Sequence, residues 1–181
     1  HLENNSIEEL NKSRFHSSLN LEVASSIKFF KHELINEAFK LKPELIVIAV
    51  SSKGIDWIAE ELKKISINHE LPNLLMLTKG LSMNENNYEL LVDKIERLLL
   101  SKGLKNLNLS AVGGPCLAAG LANRVHTGVV IANKNLDTAK LMCKMLSTRY
   151  YHTSASSDIN GVEVCACLLY TSPSPRDGLL S

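Results

Sequence analysis

The sequence has no charge excess, no long apolar run and no leader-like segment. Its 20 lysine and arginine residues nearly balance 19 acidic residues, so the net charge of +1 gives no electrostatic basis for binding nucleic acid or an anionic membrane. The apolar run at residues 45–50 is far shorter than the roughly 20 residues of a membrane-spanning helix. The chain starts at His1, and we expect this N-terminus to lie inside a longer natural sequence. We therefore predict a globular protein that has no membrane span and does not bind nucleic acid.

Metal-binding and nucleotide-binding motifs are also absent. The cysteines Cys116, Cys143, Cys165 and Cys167 form no CxxC pair and no zinc-like spacing, so we predict reduced thiols, a cytoplasmic protein and no metal site. Neither a G-x-G-x-x-G fingerprint nor a Walker A lysine motif occurs. Either the fold uses no nucleotide, or its first βαβ unit was cut away before His1.

What the sequence does contain is an alternation of buried strand and amphipathic helix patterns. Its 181 residues and 45% hydrophobic content suffice for one domain with a buried core. The strand patterns are continuous apolar runs, as expected of parallel strands covered on both faces. This alternation predicts an α/β fold with a doubly wound, mostly parallel, Rossmann-like sheet, truncated at both ends. The predicted strands are 45–50, 74–77, 107–112, 128–132 and 150–154, and the predicted helices are 27–41, 55–65, 87–102 and 138–146.

The third predicted strand runs into a glycine-rich turn. Gly113 and Gly114 allow a tight turn and a close backbone approach, and Pro115 suits the first turn of a helix. The N–H groups of Cys116, Leu117 and Ala118 would then point out of the strand's carboxyl end, where open α/β sheets bind ligands. The alternative is a Gly-Gly-Pro turn that binds nothing.

The C-terminal residues have the character of a non-native tail. Residues 167–177 resemble one reading frame of a transposase adapter used in sequencing libraries. The alternative is a natural linker rich in serine and proline. We predict a partial dinucleotide-binding domain over residues 1–166 and an adapter-derived segment over 167–181.

Four segments together resemble the N-terminal domain of NAD(P)-dependent sn-glycerol-3-phosphate dehydrogenases. They are LIVIAVSS at residues 45–52, LTKGL at 77–81, GPCLA at 114–118 and SDINGVE at 157–163. The family usually has proline at position 51 and serine or threonine at position 116, whereas this chain has Ser51 and Cys116. The resemblance implies substrate contacts at Lys79, Gly114 and Cys116, and cofactor contacts at Ser51, Ser52, Lys79 and Ala118.

The resemblance also implies an activity and its cofactor. Members of the family interconvert sn-glycerol 3-phosphate and dihydroxyacetone phosphate with NAD or NADP, and supply glycerophospholipid synthesis in the cytoplasm. A homodimer is compatible with the full-length protein. The general acid–base lysine of the family falls at position 169, where this chain has Leu169, so we predict no catalytic residue here and an inactive fragment.

Two other classes of function stay open. The same fold serves other Rossmann-type dehydrogenases, such as β-hydroxyacid dehydrogenases and ketopantoate reductases. It also suits a non-catalytic nucleotide-binding module.

We predict structural roles for the remaining polar side chains. His126 and His152 are interpreted as residues of loops or strand ends, and Asp158 as the cap of a helix that begins at Asn160 or Gly161. Asp158 and Glu163 are not spaced as a catalytic carboxylate pair.

Overall fold

The computed structural model describes residues 4–168 as seven α-helices and nine strands, joined in places by short 3₁₀ turns. The helices are α1 (Asn4–Ser13), α2 (Ile35–Phe39), α3 (Ile55–Ser66), α4 (Leu91–Ser101), α5 (Ala118–Ala122), α6 (Leu136–Leu146) and α7 (Ile159–Leu168). The strands are β1 (Phe15–His16), β2 (Leu21–Glu22), β3 (Leu45–Ile48), β4 (Asn73–Met76), β5 (Leu81–Asn84), β6 (Asn87–Leu90), β7 (Leu109–Gly113), β8 (Thr127–Ala132) and β9 (Tyr151–Ser156).

Five strands form the central sheet in the order β3-β4-β7-β8-β9. Strands β3, β4 and β7 are parallel, β8 is antiparallel to β7, and β9 is parallel to β8. The ends of β3, β4 and β7, at Ile48, Met76 and Gly113, therefore lie at one end of the sheet, which we call the carboxyl rim. The prediction of an α/β, mostly parallel, Rossmann-like sheet is confirmed.

One face of the sheet carries the larger core. Ile48, Leu74 and Met76 point to this face and pack with Leu62 of α3 and Ile95 of α4. Each of these residues is at most 2% exposed. Helix α7 completes the layer through its contacts with β7. Because these apolar side chains recur at helical spacing in α3 and α4, the sequence predicts which side of each helix is buried.

The opposite face is covered only in part. Helix α6 packs on β8 and β9, and its Met142 contacts a second apolar cluster that contains Leu75 and Ile131. Over β3 and β4, by contrast, Val47 keeps 46% of its surface exposed and Leu77 keeps 43%. This face thus has an open apolar floor next to the carboxyl rim.

The predicted helix over residues 27–41 was wrong for its first half. The structure has a 3₁₀ turn at His32–Leu34 and then the short helix α2. At residues 27–29, backbone carbonyl groups that a helix would use instead accept hydrogen bonds from side chains in or near α1. The Arg14 guanidinium donates to the carbonyl of Ile27 over 2.7 Å, and the Asn11 amide donates to that of Phe29 over 3.2 Å.

The predicted helix over residues 87–102 also started too early. Residues 87–90 form β6, which pairs with β5 in an antiparallel hairpin, and α4 begins only at Leu91. The hairpin turns at Glu85, which has a left-handed φ of 53°. Sequence patterns find such hairpins chiefly by glycine or Asn-Gly at the turn, and this turn has neither.

The other predicted elements are present with displaced ends. All five predicted sheet strands occur, and α6 begins at Leu136 rather than at Thr138 because Asn135 caps it by accepting hydrogen bonds from the N–H groups of Asp137 and Thr138. Within residues 4–168, no helix is long and apolar enough to cross a membrane.

Candidate functional site

The turn after β4 joins the ends of three strands at the carboxyl rim. The Thr78 hydroxyl donates a hydrogen bond of 2.6 Å to the carbonyl of Val50, beyond the end of β3. The next residue, Lys79, extends the other way, and its ammonium donates to the carbonyl of Val112 in β7. Lys79 therefore lies against the glycine-rich turn that ends β7, as the adjacency of these parallel strands allows.

Gly113 and Gly114 permit close packing under this turn. A Cβ on Gly114 would lie 2.8 Å from the carbonyl oxygen of Gly128 in β8, and the φ of Gly114 is +139°. A Cβ on Gly113 would lie 2.8 Å from Val162 Cγ1 of α7. Both positions thus exclude side chains, which explains the two glycines physically.

The chain leaves this turn in an extended conformation rather than as a helix. Helix α5 begins at Ala118, and Leu117 before it has a ψ of 135°. The expectation that Pro115 occupies the first helical turn, with the N–H of Cys116 at a helix start, was wrong. Small residues made the helix pattern look longer than the five residues it spans.

A cavity of about 550 Å³ opens beside Lys79, within the size range of small-molecule sites. Its walls are mostly apolar, and the open floor of the sheet forms one side. Four of the predicted site residues line it: Lys79, Gly114, Cys116 and Ala118. The remaining lining includes Val47, Leu75, Leu77, Val112, Val129, Leu146, Tyr150 and Tyr151.

Ser51 and Ser52 are not part of the cavity lining. Both are exposed, in the turn between β3 and α3. The Ser52 Cβ would be 3.7 Å from a Cβ placed on Gly80, so this turn contacts the one that carries Lys79. The predicted cofactor contacts are therefore split between the cavity and the neighbouring turn.

The charge of Lys79 depends on its surroundings. Burial lowers the pKa of its ammonium below the ordinary value of 10.5, and the nearby acidic group of Glu163 opposes part of this shift. An opposite charge nearby thus offsets part of the cost of burying the ammonium. The arrangement can hold a cation next to an apolar cavity, where it would attract an anionic or polarised ligand atom.

Sequence reasoning missed the part that Glu163 plays in this environment. The residue is 7% exposed and lies on α7, which packs on β7. Burial raises the pKa of its carboxyl group to about 7. A signal was present, because Glu163 is the one charged residue in the apolar sequence INGVEVCACL.

The remaining polar predictions fit the structure as follows. Asp158 caps α7 by accepting from the N–H of Gly161 over 2.8 Å, although α7 begins at Ile159. His126 precedes β8 and His152 lies in β9, with 3.0 Å between His126 Nδ1 and His152 Nε2. Among residues 4–168, no group of three or more histidine, cysteine, aspartate or glutamate side chains could hold a metal ion.

Comparison with known proteins assigns the family. A family model described as the NAD-dependent glycerol-3-phosphate dehydrogenase N-terminus matches residues 1–139. The chain belongs to this family. A glycerol-3-phosphate dehydrogenase (NAD(P)+) of Rickettsia akari is 29% identical over 163 residues, which cover 89% of this chain and 49% of that protein. Its counterpart in Mesoplasma florum is 25% identical over 149 residues, which cover 77% of this chain and 43% of that protein.

Solved structures of glycerol-3-phosphate dehydrogenases share the fold. The crystal structure of the enzyme from Coxiella burnetii aligns with a TM-score of 0.73 at 18% identity, over 90% of this chain and 46% of that chain. The structure of the Dunaliella salina enzyme aligns with a TM-score of 0.76 at 18% identity, over 91% of this chain and 27% of that chain. The chain spans less than half the length of the curated relatives from Rickettsia akari and Mesoplasma florum.

Two predictions concern the end of the chain. Cys167 and Leu168, at the start of the predicted adapter-derived segment, are the last two residues of α7. Leu169, at the position of the expected catalytic lysine, and the rest of that segment lie outside the described residues.

Proposed function

We propose that this chain is the N-terminal part of an oxidoreductase that interconverts sn-glycerol 3-phosphate and dihydroxyacetone phosphate with NAD or NADP. The observation that carries the proposal is the position of Lys79. Its ammonium lies at the carboxyl rim, against the end of β7 and beside an apolar cavity. The family assignment supports the reaction, and this geometry supports where it takes place.

The substrate contacts we propose are Lys79, Gly114 and Cys116. A phosphorylated three-carbon substrate has negative charge and a polar carbonyl or hydroxyl group, both of which an ammonium in a partly dry site attracts. Gly114 lines the cavity with backbone alone, so a ligand can contact its main chain directly. The Cys116 thiol replaces the usual hydroxyl and forms a weaker hydrogen bond.

The cofactor contacts we propose are Lys79, Ala118, Ser51 and Ser52. The Gly114 backbone and the apolar side chains that line the cavity fit a flat nicotinamide ring. When bound, this cofactor exchanges a hydride with the substrate carbon. The residues of this chain would orient the ring, exclude water from one side and hold positive charge near the substrate oxygen.

The wider setting is also a proposal, and its support is the resemblance of the sequence motifs to the family. We place the enzyme in the cytoplasm, as a source of glycerol 3-phosphate for glycerophospholipid synthesis, and as a homodimer when full length. Because the expected general acid–base lysine is replaced by Leu169, we expect the 181-residue chain itself to be inactive.

The test is to extend the gene in both directions from its source DNA and assay the product. We expect oxidation of NADH or NADPH that depends on dihydroxyacetone phosphate. Turnover of ketopantoate or a β-hydroxyacid instead would indicate another Rossmann-type dehydrogenase. Binding of NAD(P)H without turnover of any of these substrates would indicate a non-catalytic module.

A further inference from the structure

A side chain takes over from the backbone where the pairing of β3 and β4 ends. The last backbone bond there runs over 2.9 Å from the N–H of Leu77 to the carbonyl of Ile48. In a continuing parallel ladder, the N–H of Lys79 would donate next, to the carbonyl of Val50. The Thr78 hydroxyl donates to that carbonyl instead, over 2.6 Å, and lies farther from the Ile48 carbonyl, at 3.4 Å. The hydroxyl thus replaces a strand hydrogen bond and releases the next residue from β3.

This release lets the chain cross from β3 towards β7. Thr78 reaches back to β3, whereas the ammonium of Lys79 donates to the Val112 carbonyl in β7. Gly80 follows with a φ of +130°, a conformation that glycine adopts readily, and the chain turns into β5. The two side chains therefore brace this turn from opposite sides, and the place of the ammonium depends on where Thr78 fixes the turn.

The same hydroxyl also holds the turn that follows β3. Its acceptor, Val50, immediately precedes Ser51 and Ser52, which we propose as cofactor contacts. The two turns meet again where a Cβ on Gly80 would lie 3.7 Å from the Ser52 Cβ. One hydroxyl therefore links the proposed cofactor contacts to Lys79.

We propose that Thr78 is a positioning residue, whose hydroxyl holds Lys79 and the turn at Ser51 and Ser52 in a fixed relation to each other. This role rests on the proposed function, in which both turns contact the reacting molecules. A threonine that only filled space would need its methyl group and its shape but not its hydroxyl. The two roles therefore differ in which substitution is harmful.

The test measures how firmly the two turns are held in the 181-residue chain. Thr78→Val keeps the shape of the side chain and removes the hydroxyl, whereas Thr78→Ser keeps the hydroxyl and removes the methyl group. Hydrogen–deuterium exchange, read by mass spectrometry on peptides that cover residues 51–54 and 79–81, reports local opening. We expect T78V to raise the exchange rate in both segments by about threefold or more, and T78S to exchange as the wild type does.

Thr153→Val is the matched control. The Thr153 hydroxyl also donates to a backbone carbonyl, that of Cys143, over 3.2 Å, but this bond joins β9 to α6. We expect T153V to leave exchange at both turns unchanged. A folded T78V protein with wild-type exchange there would overturn the proposal, and so would a T78S protein whose turns open as fast as those of T78V.

A measurement on the wild type covers the case in which T78V does not fold. NMR couplings from the Thr78 Cγ2 to the backbone nitrogen and carbonyl carbon report the torsion χ1. A hydroxyl bound to the Val50 carbonyl should hold the side chain in one staggered rotamer. Averaging over the three rotamers would overturn the proposal.

The functional consequence is measured in the extended protein. We expect T78V to lower kcat/KM for dihydroxyacetone phosphate by about tenfold or more, because small displacements of contact residues slow catalysis steeply. T78S should stay within about threefold of the wild type. Faster exchange in T78V with an unchanged kcat/KM would overturn the positioning role. The exchange and coupling readouts use neither cofactor nor substrate, so a lack of turnover in the extended wild type would contradict the proposed function alone.

Discussion

At the scale of single residues, the carboxyl rim depends on the absence of two side chains. Gly113 and Gly114 let α7, β8 and the turn after β7 approach one another more closely than any residue with a Cβ permits. That approach lets α7 pack on the end of β7, where the Val112 carbonyl accepts a hydrogen bond from Lys79. The two glycines were visible in the sequence, but the segments packed beneath them were not, because they lie far apart along the chain.

Gly114→Ala should destabilise the fold by about 2 kcal/mol or more, since it combines a left-handed φ with a backbone clash. A Cβ there would be 2.8 Å from the Gly128 carbonyl. Gly128→Ala is the control, because nothing lies within 4 Å of its Cβ position. Urea denaturation should show this control within about 1 kcal/mol of the wild type. Equal stability of G114A and wild type would contradict the packing described here.

Glu163 should also make stability depend on pH. Its pKa is raised from an ordinary value of 4.5 to about 7 by burial, so the folded state holds a proton that the unfolded state has lost between these two values. The contribution is therefore complete below pH 4.5 and is lost as the pH rises to about 7. Its upper bound is about 3 kcal/mol.

The measurement is the free energy of unfolding of wild type and E163Q across this pH range. Glutamine does not titrate, so the wild type should lose stability relative to E163Q as the pH rises. A difference between the two proteins that is constant from pH 4.5 to 7 would show that Glu163 titrates as an exposed carboxyl group.

At the scale of elements, continuous apolar runs were enough to predict the strands of the central sheet. They did not predict how each strand pairs with its neighbours. Residues 45–48 and 74–76 were found because strands buried on both faces are apolar throughout. The direction of β8 leaves no mark in its sequence, so its antiparallel pairing with β7 could not be predicted. The hairpin of β5 and β6 was missed because Glu85 replaces the usual turn glycine.

A buried amide secures the antiparallel junction between β7 and β8. The side-chain nitrogen of Asn133 lies 2.7 Å from the Ser110 hydroxyl and 2.8 Å from the Leu109 carbonyl. Asn133 is 3% exposed and Ser110 is fully buried. The junction therefore depends on a donor that water does not readily replace.

Asn133→Ala should cost about 3 kcal/mol in thermal or urea unfolding, because buried acceptors lose their partner. Asn135→Ala, which removes only the exposed cap of α6, should cost about 1 kcal/mol. Equal effects of the two substitutions would show that the amide of Asn133 is replaced by water.

At the scale of the whole molecule, the sheet order explains why motifs far apart in sequence form one site. Residues 77–81 and 114–118 follow β4 and β7, which are adjacent and parallel. Periodicity alone predicted the fold class, whereas the meaning of Lys79 came from the resemblance of its motif to a family. The presence of Glu163 near Lys79 could not be predicted from the sequence, because only the fold shows that α7 packs on β7.

The most direct measurement of the central claim is kcat/KM for dihydroxyacetone phosphate in the extended protein with Lys79→Met. The claim is that Lys79 holds positive charge where the substrate reacts. We predict a fall of about 100-fold or more, and at most a twofold change for Lys105→Met, an exposed lysine at the opposite end of the sheet. Equal kcat/KM values for K79M and the wild type would contradict the account.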